Sequence, residues 1–134
     1  MSLRILSVAI LAYSVLSASN PPKTLDASDA RRLVLAALSK ETKELPGLGV
    51  VAGRTENARC MTLDVLWANP GVGSAHVAFY IVDLRTAAIW TGVTGVLSLV
   101  ATPPVVGLQR QLRRRIGSSD ADYREAAEKH ACGY

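Results

Sequence analysis

Histidine is almost missing from this chain: among 134 residues only His76 and His130 occur. Neither stands beside a Ser, a Cys or a carboxylate at a spacing that builds a nucleophile and its base. There is no Gly-x-Ser-x-Gly elbow, and Gly71-Val72-Gly73-Ser74 is too short and misplaced for a phosphate loop. Cysteine is as scarce, with Cys60 and Cys132 alone, which excludes the paired-cysteine spacing of a structural zinc site. His130-x-Cys132 with Cys60 and His76 offers ligand types without a ligand spacing. No catalytic residue, metal or cofactor is therefore expected. Aromatic residues are few, and none is interleaved with the one basic run, Arg110 to Arg115, so base stacking and nucleic-acid binding are not expected. Internal repeats and low-complexity tracts are absent too.

What is present points to an exported, folding chain. Hydrophobic residues at 49% against 19% charged exceed what a disordered chain carries. Residues 1–19 have the parts of a secretory signal: Arg4, an uncharged run from Ile5 to Leu16, and small residues Ser17, Ala18 and Ser19 before Asn20-Pro21-Pro22. Cleavage there leaves one domain over residues 20–134 and lowers the formal charge from +4 to +3, because Arg4 is the only charge before Asn20. The alternative is an uncleaved anchor. In an oxidising compartment Cys60 and Cys132 form one disulfide, with free or intermolecular thiols as the other reading. The expected location is secreted or periplasmic.

The organising stretch is Val77 to Trp90. Val77, Phe79 and Ile81 alternate with Ala78, Tyr80 and Val82, so one strand buries both faces, and Ile89 and Trp90 start its partner across the turn Asp83-Leu84-Arg85-Thr86. Upstream, Asp26 or Ser28 caps a helix that carries Ala30, Leu33, Val34, Ala37, Leu38 and Leu45 on one face and ends at Pro46-Gly47. Glu41 interrupts that face. Leu48–Ala52 and Arg59–Trp67 read as strands, the second with Met61, Leu63, Val65 and Trp67 opposite Thr62 and Asp64. Asn69-Pro70-Gly71-Val72-Gly73 reads as a protruding loop. Thr91–Ala101 reads as a buried strand leading into a loop. The uncharged stretch Ala87–Leu108 followed by arginines also fits a membrane span, which would make the protein membrane-associated.

Thr102 opens a helix with Pro103 and Pro104 in its first turn and Val105, Leu108, Leu112 and Ile116 on its apolar stripe. Arg110 and Arg114 lie opposite, and Arg113 and Arg115 at the margins. Gly117 stops it, and Ser118 or Ser119 caps a last helix whose Tyr123, Ala126, Ala127 and His130 face the body. The order predicts an α+β domain: an antiparallel sheet of three to four strands covered by an N-terminal helix, followed by two C-terminal helices.

The hairpin FYIVDLRTAAIW resembles the paired-strand signature of PepSY-like and related cystatin-like secreted domains. Phe79, Tyr80, Val82, Asp83, Thr86, Ile89 and Trp90 match it, over about fourteen of the 134 residues. Ala87 stands where such turns have Gly in a left-handed conformation, so a turn of another type is expected. The resemblance implies a helix-on-sheet fold in an exported bacterial protein, with binding or inhibition of other proteins among its activities. It transfers no catalytic residue.

The function these readings favour is a non-catalytic envelope protein that binds a protein or peptide, as an inhibitor or protective factor. Candidate contact residues are Asn69, Pro70, Gly71, His76, Tyr80, Trp90, Arg110, Arg113 and Arg114. The competing reading is a small hydrolase or ligand-binding enzyme with His76 and Tyr80 as its acid–base pair.

Overall fold

In a computed structural model the chain is described over residues 23–53, 57–69, 71, 73–93 and 95–133. The signal segment 1–19, the start of the domain to Pro22, part of the 53–58 turn and Pro70 lie outside the described residues. The fold is α+β, with one antiparallel sheet of five strands in simple meander order: β1 Leu48–Ala52, β2 Cys60–Asn69, β3 Gly73–Asp83, β4 Ile89–Val93 and β5 Val96–Leu99. Among the described residues two helices precede the sheet, α1 Ala27–Ala37 and α2 Lys40–Lys43, and two follow it, α3 Pro103–Ile116 and α4 Asp120–Glu128.

The helix expected to run from Asp26 to Leu45 is two. Asp26 and Asp29 form a reciprocal capping box at the start of α1, and Leu38 then leaves helical conformation at ψ 145. Ser39 recaps the chain by accepting from the Thr42 amide. Because the axis changes there, Glu41 is exposed on α2 and never interrupts the buried face.

The sheet has a fifth strand because Thr91–Ala101 does not run on as one buried segment. Gly95 takes φ 82, the chain reverses, and β5 pairs Trp90 with Leu99 and Gly92 with Leu97. As an edge strand β5 is mostly exposed, against the burial expected for it. Among the described residues no helix is long and apolar enough to cross a membrane.

Alternation along the strands divides the core into two clusters. On one face Leu63, Val65, Tyr80, Val82 and Ile89 pack under α1 and α3 through Leu33, Val34, Val105 and Leu112. So α3 shares the cover expected of the N-terminal helix alone. Gln109, polar but buried on that same α3 face, donates to the Ala87 carbonyl at 2.8 Å and ties α3 to the β3–β4 turn. On the other face Ile81, Ala88 and Trp90 pack against Tyr123 of α4 and the disulfide Cys60–Cys132, whose sulfurs close a separation of 72 residues. His130, expected to face the body, is exposed at φ 47, because the chain turns there to deliver Cys132.

Candidate functional site

The second sheet face is covered only at one end. Past Trp90 and Cys132 it opens, and directly opposed residues place Val51 beside Asp64, Asp64 beside Phe79, Leu66 beside His76 and Gly92 beside Leu97. Leu97 and Phe79 lie closely over Gly92: a Cβ there would stand 3.2 Å from Leu97 and 3.3 Å from Phe79, and those side chains would have to shift by a few tenths of an ångström. Val51 is 50% exposed and Leu99 41%.

In the middle of the face the His76 Nε2 lies 2.9 Å from Asp64 Oδ1. They are not directly opposite in register. A bulge shifts the β2–β3 pairing between Val65 and Leu66, so that Ala78 pairs with Val65 while His76, not Val77, pairs with Leu66. The bulge turns the His76 ring onto the side of the sheet that carries Asp64.

The sequence-derived candidates do not come together. His76 stands on the open face, whereas Tyr80 points to the opposite face and is buried under the helices. Burial also pushes the Tyr80 phenol up from its ordinary 10.0, against a hydrogen bond with Thr91 that pulls it down. That shift takes it further from acid–base work near neutral pH, so His76 and Tyr80 form no catalytic pair. Trp90, a candidate contact residue, has no exposed surface and is core, because the disulfide and α4 cover it from outside the sheet. Asn69 ends β2, Gly71 takes φ 97 and β3 begins at Gly73, while Pro70 and Val72 of the expected loop lie outside the described residues.

The arginine run divides as well. Arg110 and Arg114 are exposed on α3. Arg113 is buried: its guanidinium stacks 4.7 Å from the Tyr123 ring centre and donates to Asp120 at 2.9 Å, which lowers the Asp120 carboxyl. It joins α3 to α4 and is not free to meet a partner. Among the described residues no group of three or more His, Cys, Asp or Glu could hold a metal ion.

No family model matches the chain, and no curated protein is similar to it. Among solved structures it is similar to a chain in the structure of a type VI secretion system effector-immunity complex from Pseudomonas protegens. The identity is 20% and the TM-score 0.60, over 87% of this chain and 97% of that one. A likeness at that identity shows the fold.

Proposed function

We propose that the protein is a non-catalytic binding protein of the cell envelope that protects by occupying another protein, using the open face of its sheet. The observation that carries this reading is that face itself. Val51, Leu66, Phe79, Leu97 and Leu99 surround a polar centre at Asp64 and His76, an apolar patch with a directional pair inside it. The fold it shares with a chain of an effector-immunity complex agrees with a protective role. The disulfide agrees with an oxidising compartment.

The test uses the mature chain as bait in envelope extract, beside a Val51→Asp/Leu99→Asp variant whose changes fall on exposed side chains. The wild type retains one protein at equal stoichiometry, and the variant, melting at the same temperature, loses it. The captured protein arrests growth when expressed alone in the envelope, and co-expression of the wild type, not of the variant, restores growth. Equal retention by both baits, no reproducible partner, or turnover of a substrate by the purified chain would each reject the reading.

A further inference from the structure

Away from the open face, a cavity of about 490 Å³ lies between the β3–β4 turn, the C-terminal end of α3 and the inner side of α4. Its size falls in the range of small-molecule sites. Four cations line it, Lys23, Arg59, Arg85 and Lys129, against two carboxylates, Asp122 and Glu125. Those carboxylates are already engaged: Asp122 accepts from the Ser119 amide at 3.0 Å, and Glu125 from Lys129 at 2.7 Å.

Arg59 is fixed before any ligand arrives. Its Nε and Nη2 each lie 3.0 Å from an oxygen of the buried Asp83, which holds the guanidinium in one plane, and Nη1 has no hydrogen-bond partner among the described residues. Lys23 and Arg85 form no ion pair among the described residues. At the wall, the Ser118 hydroxyl is buried with no hydrogen-bond partner among the described residues. Ile116, Ala126 and Ala131 supply an apolar side. An uncompensated positive charge, one immobilised guanidinium and a hydroxyl without a partner among the described residues around a solvent-open, partly apolar hollow match an oxyanion with a small carbon body.

We propose that this cavity binds a small oxyanion, a carboxylate or phosphate group, with Arg85 and Lys23 closing on it from solvent and Arg59 as the fixed donor. The site is separate from the open sheet face, so it stands or falls independently of the partner reading.

The experiment titrates the labelled mature chain with inorganic phosphate and, in a second arm, with succinate, at constant ionic strength and with chloride as the control. Both probes, or one of them, shift the amides of Arg85, Thr86, Gly117 and Ser118 in a saturable manner. If phosphate alone saturates, the ligand is a phosphate compound; if succinate alone does, a carboxylate. A Lys23→Gln/Arg85→Gln variant removes two exposed, unpaired side chains, keeps the wild-type melting temperature and weakens the probe about tenfold. Shifts that never saturate, that spread over the surface, or that persist unchanged in the variant mean an adventitious ion only and overturn the proposal. The Val51→Asp/Leu99→Asp variant leaves the titration unchanged.

Discussion

Asp83 has no exposed surface, yet its carboxylate accepts four hydrogen bonds, from Arg59 Nε and Nη2, the Arg85 amide and the Thr86 hydroxyl. A buried charge persists only when paired and bonded in this way. Arg59→Ala leaves that charge without its cation and destabilises by about 3 kcal/mol, read as a lower urea midpoint at unchanged slope. A loss under about 1 kcal/mol would show that the pair behaves as a surface ion pair. Four residues further on, Ala87 takes φ 65 while fully buried, a left-handed conformation that glycine adopts without a Cβ clash. Hydrogen bonds from the Thr86 and Ala87 amides to the Asp83 carbonyl and from Gln109 to the Ala87 carbonyl hold the conformation. Ala87→Gly relieves about 1 kcal/mol of left-handed strain but loses a buried methyl worth about 0.8 kcal/mol. The two offset, so its midpoint stays within about 0.5 kcal/mol of wild type.

Between elements, the start of α1 is pinned by the end of α3. Asp29 caps α1 by accepting from the Asp26 amide, and Arg115 donates to the same carboxylate. Burial pushes the Asp29 carboxyl up, but Arg115 and the bonds with Asp26 outweigh it and hold the group below its ordinary 3.8. A carboxyl lowered in the folded state stabilises above its ordinary value and loses that contribution as pH falls through the lowered one. Stability therefore declines as pH falls from the ordinary carboxyl range through the lowered value. Asp29→Asn flattens that decline and lowers stability at neutral pH by about 1 kcal/mol; a pH profile as steep as the wild type's would sink the assignment. An N-cap at Asp26 or Ser28, the α3 stripe, the Gly117 stop and the alternation of β2 were all legible in the sequence, because each is written in neighbouring residues. Features that depend on how strands meet were not. The break at Leu38 follows from a local recap inside a continuous apolar stripe. β5 was hidden because an uncharged run reads alike whether it is one buried strand or a hairpin ending at an edge. The same limit applied to the site: Thr62 and Asp64 were visibly on one side of β2, but the Asp64–His76 pair exists only through the bulge at the β2–β3 ladder. Trp90 and Arg113 were read as candidate contact residues, because α4 and the tail that cover them come from the far end of the chain.

At the scale of the molecule, the two faces of the sheet are covered by different means. α1 and α3 are held on the first face by a broad apolar core. α4 buries only Ala126 fully, and its hold on the second face rests on Tyr123, Arg113 and the Cys60–Cys132 bond just beyond it. The bond closes a loop across 72 residues, which restricts the unfolded chain and is worth about 4 kcal/mol in the chain-entropy account. A Cys60→Ser/Cys132→Ser protein is therefore expected to lose global stability by that order, and to lose it unevenly. Amides of α4 exchange through local opening, while those of β2 and β3 exchange only with global unfolding. Trp90 reports the same event, since it is fully buried against Cys132 in the native state. In a Trp67→Phe background, which leaves Trp90 as the single fluorophore of that type in the domain, emission moves to longer wavelength in the cysteine-free protein under folding conditions. Emission and α4 exchange identical to the oxidised protein would mean that the side chains of α4 hold the second face without the bond. In that case reduction would leave the proposed docking face unchanged. If α4 opens instead, Trp90 and Ile81 join the exposed apolar surface, and the face offered to a partner differs between oxidising and reducing compartments.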